Sequence, residues 1–113
     1  MSRDLRNPFY RRLRSKRQER ATARDTGGRV QPGSGSVPVK GLREDTKSRH
    51  TLVQCKLTER KSFSIKEDEY RLTTERALEM GKMPCWRVQF KKADVAVIRW
   101  DDYVQLLEDA GMI

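Results

Sequence analysis

Asp45, Gln54 and Lys56 are the residues of this 113-residue chain whose types and spacing could do chemistry. Over residues 51–58, Val53, Cys55 and Leu57 alternate with Leu52, Gln54 and Lys56, the period of a strand. The alternation sets Gln54 and Lys56 on one face. Asp45 precedes Gln54 by nine residues, a separation that a β-hairpin spans, so its carboxylate reaches the same face. A carboxylate, a second oxygen ligand and a lysine grouped in this way make a workable site for hydrolysing phosphodiesters. The oxygens suit Mg²⁺, a hard cation that takes few protein ligands and keeps its waters. The metal would polarise a phosphoryl oxygen and lower the pKa of a bound water. Lys56 would orient or deprotonate that water and offset charge developing on the phosphate. On spacing alone, the competing reading is an ordinary Gln and Lys on the solvent face of an edge strand.

The elements that must position these groups follow from periodicity and breakers. A basic tail of residues 1–12 precedes a single domain of residues 13–113; residues 1–10 read as disordered. The run over about 11–25 is rich in helix formers without Gly or Pro, and Gly27-Gly28 ends it. A short strand over 29–31 and a breaker-rich loop over 32–41 come next. Residues 45–47 are the expected hairpin partner of the 51–58 strand, with His50 in the turn. Ser64 with Glu67 forms a capping-box pattern that opens a helix ending at Gly81. In that helix Ile65, Tyr70, Thr73, Ala77 and Met80 make the predicted buried stripe, and Glu67, Asp68 and Glu69 complement the dipole of its first turn. Strands over 85–90 and 95–100 follow. A last helix starts near Asp101 as its cap, with Tyr103, Leu106, Leu107 and Ala110 facing inward. Trp86 and Trp100 read as core rather than as base-stacking platforms. The order α-β-β-β-α-β-β-α is an α/β layout with a mixed sheet.

Charge narrows the partners. The net charge is +9; residues 1–49 carry 14 Lys/Arg against five Asp/Glu, and residues 50–113 carry 11 of each. The excess therefore lies in the first half and points to a polyanion meeting it there. Arg11, Arg12, Arg14, Lys16, Arg17, Arg20 and Arg24 crowd one predicted helix. Their mutual repulsion costs a few tenths of a kcal/mol per i,i+4 pair, a cost that phosphate neutralisation recovers. RNA or an acidic protein surface are the other partners such charge admits, as is a merely solubilising tail. No segment approaches the roughly 18 apolar residues of a membrane span, and the start lacks the apolar stretch of a secretory signal. Cys55 and Cys85 sit in apolar runs and read as buried thiols in a reducing, cytoplasmic compartment. With His50 the one histidine, the chain has too few Cys and His for a zinc site.

The ordered segments GGRVQPGSGS, KGLRED, LVQCKLTERKSFSI and ERALEMGKMPC resemble the small phage and archaeal Holliday-junction resolvases and related PD-(D/E)xK nucleases. The resemblance runs from about residue 19 to 90. It implies a restriction-endonuclease-like core, a sheet of about five strands flanked by helices, and a Mg²⁺-dependent DNA endonuclease (Mn²⁺ substituting) with no small-molecule cofactor. By the same resemblance Asp45 and Gln54 are metal ligands, Lys56 is the catalytic lysine and Glu19 is the helix acid that helps bind metal. Arg29 matches the arginine of the first strand. Ser34 matches the loop serine near the scissile phosphate, with Ser36 as the alternative. Glu44 stands beside Asp45 where the family has Gly-Asp, so either acid could be the ligand. Gln54 replaces the more common Glu, a Q-x-K variant similar to that of methylation-dependent restriction endonucleases.

For DNA contact the reading names Arg17, Arg20, Arg29, Ser36, Lys40, Arg43 and Lys61. Branched or duplex DNA is the expected partner, with no membrane. A junction's two-fold symmetry implies a homodimer, for which the Leu/Val-rich C-terminal half is the expected interface. Two rivals stand beside junction resolution: a restriction-type or end-processing DNase using the same site, and a nucleic-acid-binding protein in which Gln54 marks a decayed one.

Overall fold

The computed structural model describes residues 8–30 and 45–113. Its elements are α1 (Pro8–Thr26), β1 (Arg29–Val30), β2 (Asp45–Lys47), β3 (Thr51–Leu57), α2 (Glu67–Glu79), β4 (Met83–Gln89), β5 (Asp94–Ile98) and α3 (Trp100–Asp109). The protein is α/β, with a mixed sheet of five strands in the order β1-β2-β3-β4-β5 and three helices flanking it. All neighbouring strands are antiparallel except β3 and β4, which run parallel with α2 as their crossover. The expected order of elements is the observed one. Residues 1–7 and 31–44 lie outside the described part, so the expected 32–41 loop and most of the tail do too.

The two faces of the sheet carry different helices. On one face, the Cys55 thiol and Arg87 Nη1 both donate to Thr22 Oγ1 of α1, at 3.3 and 2.9 Å. On the other, Trp86 Nε1 donates to Thr73 Oγ1 of α2 at 2.8 Å. Both faces of β3 are thus covered, and four consecutive residues, Leu52 to Cys55, are buried. The expected apolar and polar sides of this strand are instead two interior sides.

α1 starts at Pro8, earlier than expected, and stops as the glycines require. Gly27 has φ +68, and the amides of Gly27 and Gly28 return to Arg24 O (3.3 Å) and Ala23 O (2.7 Å). Gly28 has a second constraint: a Cβ there would sit 2.2 Å from the Lys47 carbonyl oxygen. The α1–β1 junction is pressed directly onto β2.

Several sequence expectations are corrected. α2 begins at Glu67 with Lys66 at its N-cap and no side-chain cap, so Ser64 and Glu67 form no capping box. Before α2 the Phe63 ring meets Trp86 edge-on at 6.1 Å, and the N-cap Lys66 is extended (φ -88, ψ 130). Ile65 consequently lies before the helix, 51% exposed, while Thr73 and Ala77 are buried as expected. In α3 Arg99 is the N-cap and Asp101 caps nothing; Asp102 instead takes two hydrogen bonds from Arg99, at 2.9 and 3.1 Å. Trp100 is 73% exposed, and Tyr103, Leu106 and Ala110 are exposed too, so α3 presents an apolar face outward. Trp86, by contrast, is 1% exposed and is core.

Gly28→Ala should lower stability by about 1–3 kcal/mol, since the added methyl meets backbone rather than a yielding side chain; urea unfolding measures it. A second expectation concerns alkali. Burial pushes the Cys85 thiol from 9.0 up to about 11 and the Tyr70 hydroxyl from 10.0 up to about 12. Both stay protonated in the folded protein after the unfolded chain has begun to ionise. Their contribution is complete below the unfolded pKa values and is lost as pH rises from 9.0 towards 11 and 12. The urea midpoint should therefore fall between about pH 9 and about pH 12, less steeply in Tyr70→Phe.

Candidate active site

The β2–β3 hairpin fixes the register of the site. Asp45 pairs with Gln54, Thr46 with Val53 and Lys47 with Leu52. Directly opposed residues share a face, so Asp45 stands at the position that faces with Gln54 and, two residues on, Lys56. The register is enforced from the turn. Ser48 N donates to Thr51 O at 2.9 Å, the Ser48 and Thr51 hydroxyls are 2.7 Å apart, and Thr51 N donates to Ser48 Oγ at 3.1 Å. His50 is exposed in this turn, as expected.

Gln54 is 2% exposed, and among the described residues its Oε1 has no hydrogen-bond partner. A buried acceptor left unpaired costs about 1–3 kcal/mol, a cost that a ligand binding this oxygen would remove. Among the described residues Gln18 Oε1 and Thr46 Oγ1 share that condition, but both belong to the α1 side of the sheet. Gln54 Oε1 alone of the three lies on the face of Lys56. Lys56 is half-buried, its Nζ 4.8 Å from the centre of the Trp86 ring, a cation–π distance. The parallel register sets Gln54 beside Trp86. The backbone of Lys56 is fixed as well, by Gln18 Nε2 of α1 donating to its carbonyl at 2.8 Å.

The other predicted residues are distributed as follows. Glu19 is 8% exposed on α1, against the opposite face of the sheet from Gln54 and Lys56. Arg17 and Arg20 are exposed on α1, and Arg17 borders a cleft of about 240 Å³ with Arg14, Arg87 and Gln89. Arg29 is exposed on β1, paired with Lys47, and Lys61 is exposed in the segment after β3. Ser34, Ser36, Lys40, Arg43 and Glu44 lie outside the described residues. Sequence reasoning missed Gln18, whose role depends on a contact 38 positions away, and missed Trp86 as the platform of Lys56. Only the matched alternation of β3 and β4 hinted at the second.

On this face Gln54 offers one buried amide oxygen, a donor type that a hard divalent cation accepts, and the residue whose register position opposes it, Asp45, is an acid. Among the described residues no three His, Cys, Asp or Glu side chains form a metal-holding group. No described helix is long and apolar enough to cross a membrane. Comparison with known protein families, with curated proteins and with solved structures finds no match to this chain.

Two substitutions should separate a ligand from a packing residue. Gln54→Leu removes the unpaired oxygen and should leave the metal-free protein as stable or up to about 1 kcal/mol more so, with no thermal shift on adding Mg²⁺. Gln54→Glu buries a second carboxylate. It should lower the metal-free melting temperature and enlarge the Mg²⁺-induced rise. Differential scanning fluorimetry with and without Mg²⁺ reads both.

Proposed function

We propose that this chain is a metal-dependent DNA endonuclease on a restriction-endonuclease-like core, structure-selective in the manner of the Holliday-junction resolvases it resembles. The observation that carries the reading is the register pair of Asp45 with Gln54, with Lys56 two residues on along the same face. The sheet supports it. An antiparallel run β1-β2-β3 followed by a helical crossover to parallel β4 is the arrangement expected of that core.

In this reading Asp45 and Gln54 would hold Mg²⁺, or Mn²⁺ in its place. The ion would supply a polarised phosphoryl oxygen and a water of lowered pKa. Lys56 orients that water and offsets charge on the phosphate. Its reach is set by the Trp86 ring beneath its amine and by Gln18 holding its carbonyl. Hydrolysis would join the water oxygen to phosphorus and break one P–O ester bond, the departing oxygen keeping the electron pair and taking up a proton equivalent to the one the water gives up. Glu19, the further acid that the family resemblance suggests, lies against the opposite face of the sheet from Gln54 and Lys56 and is not assigned to this set.

Exposed Arg17, Arg20 and Arg29 and the +9 charge favour a nucleic-acid substrate. Paired cuts in a two-fold junction need two sites, hence a homodimer. Val95, Trp100, Tyr103 and Leu106, all more than two-fifths exposed on β5 and α3, supply apolar surface for the second copy.

The test is cleavage of a labelled four-way junction beside a matched duplex, in Mg²⁺, Mn²⁺ and EDTA. Metal-dependent paired nicks in the junction are expected, reduced by about 100-fold or more in Lys56→Ala. Equal cutting of the duplex would make the protein a general DNase. Binding without cutting in either metal would leave a DNA-binding protein whose neutral Gln54 marks a lost activity.

A further inference from the structure

At the other end of the β2–β3 hairpin from Lys56 lies a cleft of about 430 Å³ lined by Arg29, Lys47, Arg49 and Lys82. The backbone of Gly27, Gly28 and Ser48 completes it, and among the described residues no carboxylate borders it. Four cations grouped in this way repel one another, an arrangement that a bound anion relieves.

The cleft is built rather than incidental. The αL turn at Gly27 and the contact of Gly28 with the Lys47 carbonyl fix one wall. Lys82 Nζ fixes another by donating to the carbonyls of Ser48 and, at 3.1 Å, Arg49. Arg29 and Arg49 remain exposed, and Arg29 and Lys47 are register partners on the sheet face of Gln54 and Lys56. Lys47 pairs with Leu52, four residues before Lys56 on β3, so about 13 Å of strand separates the two ends. That is a span of a few nucleotides.

We propose that this cleft is a second phosphate site, gripping the DNA backbone a few nucleotides from the bond that Lys56 addresses and so setting where along the strand the cut falls. The proposal rests on the DNA reading but not on catalysis, because phosphate neutralisation needs neither metal nor turnover.

The test uses the full chain and a fluorescently labelled duplex in EDTA, with anisotropy titrations across a range of salt. The variants are Lys47→Glu with Arg49→Glu, the single Arg49→Ala, and Lys91→Glu with Lys92→Glu on the exposed β4–β5 turn as control. Circular dichroism checks that each is folded. The double cleft variant should bind at least about tenfold more weakly, with a salt slope shallower by about two; Arg49→Ala should lose about one. The control should change by less than about twofold. Wild-type affinity and slope in both cleft variants would overturn the proposal. So would amide shifts at Gly28 and Ser48 on adding inorganic phosphate with DNA affinity unchanged, which would make the cleft a site for a small free anion. Because no cleavage is needed, loss of the nuclease reading and loss of this one are separate results.

Discussion

The indole of Trp86 holds the α2 side of the molecule together. Its N–H is tied to Thr73 of α2, Tyr70 lies 5.3 Å from it at a tilt, Phe63 meets it edge-on, and Lys56 lies over its ring. Tyr70 in turn donates its hydroxyl towards Val97 O, 3.0 Å away, which brings β5 into the same cluster. An aromatic side chain of this size supplies most of the apolar area that a small domain can bury in one place. Here it also sets the height of a candidate catalytic amine above the sheet. Helix docking and lysine position are therefore one packing problem.

The α1 side is solved differently. Its buried stripe is Gln18, Glu19, Thr22 and Ala23, three polar residues and one methyl. Such a helix gains little from burial and must be docked by hydrogen bonds. Thr22 accepts from Cys55 and Arg87, and Gln18 reaches the Lys56 carbonyl. Arg87 also clasps Asp94 through a forked pair, and this hydrogen bonding holds the Asp94 carboxyl below its ordinary range. The Thr22 contacts are short-range and directional, so they define where α1 sits along β3 better than apolar contact would. The strand carrying Lys56 is thus located from both faces, by an aromatic ring on one and by α1 on the other.

What the residues announced was governed by local rules. Strand alternation placed β3 and its partner, because pairing period and side-chain face are a local property. Gly27-Gly28 and Gly81 marked two helix ends because both glycines that end those turns take positive φ. What failed was decided at a distance. The Ser64–Glu67 pattern is a sound local signal, but Phe63 engages Trp86 and the backbone is still extended at Lys66. The α3 stripe was read inward because amphipathic periodicity says that a face is apolar and not what covers it. The cationic cleft escaped notice because Arg29, Lys47, Arg49 and Lys82 are scattered over 54 positions and meet only through sheet register and the α2–β4 junction.

That register is the step on which the candidate site depends. The side-chain period of a strand is two, so a slip of β2 against β3 by one residue would turn Gln54 and Lys56 away from the acid at position 45. The three pairs of this ladder among the described residues supply few contacts of their own to resist such a slip. Resistance comes from the turn: the Ser48–Thr51 hydrogen bonds close it, and Lys82 clamps the Ser48 and Arg49 carbonyls from the far side of α2. Met83 N reaches back to His50 O at 2.8 Å and ties the turn to β4. Gly28, pressed on the Lys47 carbonyl, blocks movement from the β1 side. The residues that line the cationic cleft are therefore also those that hold the hairpin in register. A phosphate bound there would stiffen the turn and, through the ladder, the placement of Asp45 against Gln54 at the other end.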